Sequence, residues 1–146
     1  MTIEFTKKQY ENLIKLIYLG NWMINAFRID EGVKKFEEVT DYIYSFAKDF
    51  GLEKYIEYDE KFNKFYPTRE FEEDTDIEHY MDEYDAETFW DELVHNLATR
   101  DFIGKYGEDA IRKMDFKERI EKEEPFIGKY EKEFEKHGIE NLEIKE

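Results

Sequence analysis

The chain has no cysteine in its 146 residues, only two prolines, a single serine and no long apolar run. Without cysteine there is no disulfide framework, no thiolate metal site and no Cys–His catalytic pair. The seven glycines are scattered, so neither a phosphate-cradling loop nor a dinucleotide fingerprint exists. Ser45, the one serine, lies inside a helical pattern with no histidine near it in sequence, which leaves nucleophilic catalysis poorly supplied. No Asp-x-Asp-x-Asp-Gly loop is present, so an EF-hand is not supported. No stretch reaches the roughly 20 apolar residues of a membrane span. Acidic residues interrupt the N-terminal segment and no cleavage pattern follows, so a signal peptide is not expected. These absences lead to the expectation of a soluble cytoplasmic protein with no cofactor.

Positive charge is also in short supply. Twenty-two Lys and Arg face 38 Asp and Glu, a net charge of −16, with a pI near 4.6. Such a surface repels nucleic-acid phosphates and anionic lipid, which need clustered Lys and Arg. Nucleic-acid and membrane partners are therefore set aside. A basic protein partner, or plain solubility, remains.

Aromatic residues are plentiful: thirteen Phe, eleven Tyr and two Trp. That is ample material for a core, and it argues against global disorder despite the charge. A chain of this length buries about two-thirds of its unfolded surface, and one domain covering 1–146 is expected.

The exception to the high charge is the stretch from Leu16 to Phe27, twelve residues with no charge between Lys15 and Arg28. Thr6 with Gln9 has capping-box spacing for a helix leading into it. At 100° per residue, Tyr10, Leu13, Ile17, Gly20, Ile24 and Phe27 form one stripe, widened by Ile14, Leu16 and Met23. Tyr18, Leu19, Trp22 and Ala26 lie on the other side. The second half of this helix is apolar nearly all round. It is read as a central helix covered by its own chain, or as one whose Tyr18–Trp22 side meets a second copy, giving a homodimer. Asn21 and Asn25 sit one turn apart within it. A buried amide without a partner costs roughly 1–3 kcal/mol, so each needs one: a neighbouring backbone, or a ligand in a helix-lined pocket.

Further along, Asp30 is placed to cap a second helix over 32–50, ended by Gly51 and Leu52. Residues 52–75 suggest short turns and extended pieces. Thr75 with Glu78 opens a short helix through Tyr84. Asp85 then caps a longer one to Ile103, buried through Ala86, Phe89, Trp90, Leu93 and Leu97. A short helix over 108–114 follows. Asp115 with Glu118 opens the last helix, with Phe116 and Ile120 facing inward. Pro125 breaks or restarts it, and Gly138 ends it. Alternation in residues 2–5 and again in 139–144 suggests a two-stranded ribbon joining the termini.

From Glu70 to Glu92 there are twelve carboxylates and no Lys or Arg. This is read as a solvated face, as a docking surface for a basic partner with Glu72, Glu73, Asp74 and Asp76 as its candidate contacts, or, third, as a cation site. Glu92-Leu-Val-His95 fits the Glu-x-x-His pattern of di-iron bundles, and Asp76-Ile-Glu-His79 is a looser relative. Both pairs fall on the polar faces of their helices, so no metal site is expected. Arg69 is the only basic residue between Lys64 and Arg100, and is either paired with a carboxylate or placed for an anion.

Gly20-Asn-Trp-Met-Ile-Asn25, Tyr66-Pro-Thr-Arg-Glu-Phe71 and Phe89-Trp-Asp-Glu-Leu93 together resemble a family of small acidic bacterial proteins. The resemblance implies no activity, cofactor or site residue. The reading as a whole is a mostly α, multi-helix domain with a non-catalytic, protein-binding or regulatory role. The alternative is a small enzyme or ligand binder with a carboxylate-lined pocket near Asn21, Trp22, Asn25 and Arg69.

Overall fold

In the computed structural model, residues 2–29 and 32–143 are described. They are mostly α, as the patterning indicates: α1 (Lys7–Asn25), α2 (Lys34–Tyr44), β1 (Ile56–Asp59), β2 (Lys64–Pro67), α3 (Arg69–Asp74), α4 (Ile77–Tyr106), α5 (Glu108–Ile111) and α6 (Phe116–His137). The chain divides into two compact units, 1–82 and 83–146, each with its own apolar cluster.

The N-terminal unit is built on α1. Thr6 accepts from the Gln9 backbone N–H and the Gln9 side chain accepts from the Thr6 N–H, the reciprocal capping box that the sequence predicts. Tyr10 and Ile14 are the fully buried residues of this helix, and they meet Tyr44, Ala47, Leu52, Tyr55, Ile56, Phe71 and Ile77. Tyr10 stacks on Phe50 with centroids 4.1 Å apart, and its hydroxyl donates to the Ile43 carbonyl. After α2 the chain tightens into i→i+3 turns. Gly51 then takes φ +64°, and the Leu52 N–H donates to the Ala47 carbonyl, 2.9 Å. That closure needs a left-handed residue, which glycine supplies without a Cβ clash. The cap predicted at Asp30 lies outside the described residues. The helix begins later than predicted, with Val33 at its N-cap and no side-chain cap.

Three expectations change in this unit. The uncharged stretch is sheltered on one face only: Ile17 and Ile24 are half-buried, while Leu16, Met23 and Phe27 are exposed. Only that one face of the cylinder meets the apolar cluster, so an all-apolar sequence here does not mean all-round burial. Phe36, predicted on the inner stripe of α2, is likewise exposed, and Tyr44 and Ala47 carry the burial. A two-stranded antiparallel ribbon is present, but β1 and β2 form it, with Ile56 opposite Pro67 and Asp59 opposite Lys64. Residues 2–5 and 139–143 carry no strand, and Ile144 lies outside the described residues. A hairpin closes a short loop, whereas pairing the termini would close almost the whole chain at greater entropic cost. Asp59 fixes the turn by accepting from the N–H groups of Lys61 and Phe62, and Tyr58 packs on Phe65 across the strands.

Thr68 caps α3 by accepting from the Phe71 N–H. Thr75 does not act as an N-cap; its hydroxyl donates back to the Phe71 carbonyl. The two helices predicted to meet at Asp85 are one, the 30-residue α4. No glycine or proline lies between Ile77 and Ile103, so nothing interrupts propagation, and one aspartate in the interior costs under about 1 kcal/mol.

The C-terminal unit is the second part of α4 packed on α6. Val94 and Ala98 meet Tyr130 and Phe134, flanked by Leu93, Leu97, Phe126 and Ile127. The predicted inner stripe is displaced along the helix. Ala86, Phe89 and Trp90 are exposed, whereas Val94, Ala98 and Phe102 are buried. Asp115 caps α6 as predicted, accepting from the Glu118 N–H at 2.8 Å. Phe116 and Ile120 are exposed, so the first turns of α6 contribute little to the core. Pro125 sits inside α6 without ending it. It removes one backbone donor on an exposed part of the helix, and the burial of Tyr130 and Phe134 downstream offsets that. Gly138, at φ +55°, terminates the helix as predicted.

Candidate functional site

The candidate residues from the sequence fall into three places. Asn21 and Asn25 are together: the Asn25 amide donates to the Asn21 side-chain oxygen at 2.8 Å, and the Asn25 oxygen accepts from the Val33 N–H at 2.9 Å. This is the backbone-satisfying role, and it ties the end of α1 to the start of α2. Asn21 also lines a cavity of about 280 Å³ with Glu37, Asp41, Tyr44, Lys64 and Tyr66. Trp22, Asn25 and Arg69 do not line that cavity. Its charged groups are engaged: Lys64 pairs with Glu37 at 3.0 Å and Asp41 accepts from the Phe65 N–H at 2.7 Å. Arg69 is highly exposed and pairs with Glu73, one turn along α3, at 2.6 Å.

Glu72, Glu73, Asp74 and Asp76 are wet, as expected, but each has a partner inside the N-terminal unit. Tyr18 donates to Glu72 at 2.8 Å. Lys54 pairs with Asp74 at 2.9 Å and with Glu70 at 3.2 Å. Lys15 pairs with Asp76 at 3.0 Å. Hydrogen bonds from Tyr80 and Lys15 hold the Asp76 carboxyl down at about 2. Burial, helped by Glu72, pushes the Tyr18 phenol up to about 12. These contacts tether α3 and the first turn of α4 to α1.

One group of carboxylates without such partners converges in the C-terminal unit. Between two and three turns of α4 present Glu87, Trp90, Asp91, Val94 and His95, and α6 faces them with Glu131, Phe134 and Glu135. Together they line an open groove of about 630 Å³. Trp90 forms the aromatic part of the wall: its ring lies 5.7 Å from Phe134 and 5.0 Å from Phe89. Asp91 has His95 at 3.4 Å, one turn on. Among the described residues, Glu87, Glu131 and Glu135 have no ion pair and no side-chain hydrogen bond. The spacing explains why they converge. Glu131 and Glu135 are four apart on α6, and Glu87 and Asp91 are four apart on α4, so each pair stacks on one helical face. The pattern around Tyr130 and Phe134 carried this signal. It was missed because α6 balances its acids with lysines, so no charge run marks the two glutamates.

Just beyond the groove the unit has a contrasting, fully paired cluster. Asp101 accepts from Tyr130 at 2.5 Å, from Arg100 at 2.8 Å and from Lys129 at 3.0 Å. These bonds hold the Asp101 carboxyl well below its usual range. It is a tie between α4 and α6, and both of its cations are already used.

Glu92, His95 and His79 stand on exposed faces. Among the described residues no group of three or more His, Asp or Glu side chains is arranged to hold a metal ion, and no helix is long and apolar enough to cross a membrane. Compared with protein-family models, curated proteins and solved structures, the chain matches none of them.

Proposed function

We propose that the protein is a non-catalytic binding module that takes a basic segment of another protein into the groove between α4 and α6. The observation that carries this reading is the combination of three carboxylates without cations and one exposed indole in a single concave site. An arginine side chain satisfies both components: its guanidinium stacks on the Trp90 face and donates to Glu87, Glu131 or Glu135. The net charge of −16 speeds the approach of a basic partner and weakens the attraction as salt rises. The cytoplasm is the setting we assign to this exchange. The candidate contacts named from sequence, Glu72 to Asp76, act in this proposal as internal ties and not as the docking surface.

The test uses a short oligoarginine peptide and the Trp22→Phe protein, in which Trp90 is the one remaining tryptophan. Peptide binding is expected to change Trp90 emission. Replacing Glu87, Glu131 and Glu135 with Gln is expected to weaken it at least about tenfold, with an unchanged melting temperature. Binding that survives this triple substitution rejects the groove.

A further inference from the structure

We infer that the outer face of α1 is a self-association surface, on which two copies of the chain pack antiparallel about a two-fold axis. The face is independent of the acidic groove and rests on different residues. Leu16, Gly20 and Met23 follow one another on α1 at spacings of four and three, one stripe on the helix, and Phe27 continues it in the turn just past the helix end. Leu16 is 67% exposed, Met23 52% and Phe27 70%, and Ile29, just beyond, is 96% exposed. A Cβ built on Gly20 would meet nothing within 4 Å. The Arg28 guanidinium lies 4.6 Å from the Phe27 ring centre at the far end; in a surface this heavily charged, an exposed apolar stripe over the second half of α1 and the turn after it calls for a covering group.

Three features point to a second copy as the occupant. The first is the symmetry of the stripe. A two-fold axis midway between Asn21 and Trp22 sets Leu16 against the partner's Phe27 and Gly20 against the partner's Met23. Each large side chain then lies opposite a different one or over the open glycine, which is the self-complementarity an isologous contact requires. The second is charge. Copies carrying −16 each repel, and they approach most easily where negative charge is least. Lys7, Lys8 and Lys15 against Glu11 make α1 a net-positive helix, and its second half carries no charge at all. The third is area. The four exposed apolar side chains present on the order of 500 Å², so two copies cover about 1,000 Å², the lower bound for a specific interface. A weak, salt-assisted dimer is the outcome.

Sedimentation equilibrium on the full chain reads this directly. The average mass is expected to rise from 18.0 kDa toward twice that value with concentration, and to do so at lower concentration in high salt. Leu16→Glu and Met23→Glu are expected to stay monomeric while melting like the parent, because both positions are already exposed. Gly20→Leu separates packed pairing from general stickiness. It adds apolar area and helix propensity, yet it fills the space the partner's Met23 enters, so it is expected to weaken the dimer at least about tenfold. A monomer at every concentration and salt, a dimer indifferent to Leu16→Glu, or a dimer tightened by Gly20→Leu would each overturn the inference.

Discussion

The twelve carboxylates from Glu70 to Glu92 divide at Ile77 into two sets that differ in how many of their members are paired. Before it, Glu70, Glu72, Glu73, Asp74 and Asp76 meet Lys54, Tyr18, Arg69 and Lys15. Beyond it, among the described residues, Glu78, Asp82, Asp85 and Glu87 have no ion pair or side-chain hydrogen bond, and Asp91 has a histidine. The charge density along the sequence is similar on both sides. What differs is the distant part of the chain that folds back over it. Helix α1 brings Lys15 and Tyr18 to the first set, and the turn before β1 brings Lys54. The far end of the second set lies on a helix whose buried face, through Val94 and Ala98, points at α6, and there Glu87 is joined by Glu131 and Glu135 instead of by a cation. An acidic run is therefore not one structural object. Part of it fastens the fold, and on the reading proposed above part is the docking surface for a basic segment.

The comparison breaks most visibly at its two aromatic anchors. Phe71 is completely buried beneath the fastened set, edge-on to Tyr18 and Tyr55 at 5.5 and 5.7 Å. Phe71→Ala is expected to cost about 3–5 kcal/mol of stability, through lost burial plus the cavity left behind. Trp90 is 37% exposed beside the open set. Trp90→Ala is expected to cost distinctly less stability and to abolish capture of an oligoarginine peptide. Urea unfolding of the two variants, with the peptide titrated onto each folded protein, measures both quantities. Equal stability losses would show that Trp90 is a core residue in its own unit and not part of a docking wall.

Much of this arrangement was legible in sequence, and what was not has identifiable causes. Caps were readable because they are local: Thr6 with Gln9, Asp115 with Glu118, and the terminating Gly138 act where their spacing places them, whereas α2 ends at Tyr44, well before the expected Phe50, and Gly51 closes the turns that follow it. The mostly α class followed from the same periodicity. Which face of an apolar helix is covered was not readable, because that depends on what packs there; the exposed Leu16, Met23 and Phe27 show it for α1, and Ala86 and Phe89 for α4. The division into compact units between Asp82 and Glu83 was not readable either, because it falls within a helix that carries no breaker to mark it. The groove was hidden for a related reason. Its acids come from helices some forty residues apart, and the pair on α6 is masked by neighbouring lysines.

A reciprocal charge experiment sharpens the division further. Changing Glu72 to Gln and Asp74 to Asn replaces the charged acceptors of Tyr18 and Lys54 with neutral, weaker ones. The hydroxyl–carboxylate bond contributes about 1–3 kcal/mol and the exposed ion pair about 1 kcal/mol or less. The double variant is therefore expected to melt lower than the parent and to bind oligoarginine within about twofold of it, since the sites share no partner. The groove triple is expected to do the reverse. If both sets of substitutions weakened peptide binding equally, the attraction would come from the overall field and not from the groove.

The smallest expected effect concerns acid. The Asp76 carboxyl titrates at about 2 in the fold against an ordinary value of 3.8. A depressed carboxyl contributes stability that is complete above its unfolded value and is lost as pH falls through the folded one. The tie from Lys15 to Asp76 should therefore hold near neutrality and loosen between pH 3.8 and about 2. Asp76 lies on the exposed surface, where solvent screens such a pair, so the change is a modest one. Asp101 is depressed in the same direction, but it belongs to the other unit. The two tryptophans, Trp22 and Trp90, lie one in each unit, so their emission separates the contributions. In Asp76→Asn, the acid dependence read at Trp22 is expected to flatten, while that read at Trp90 is retained through Asp101. Flattening at both tryptophans would mean that the two units unfold as one cooperative body, and that the fastened and open carboxylates share a single stability instead of two.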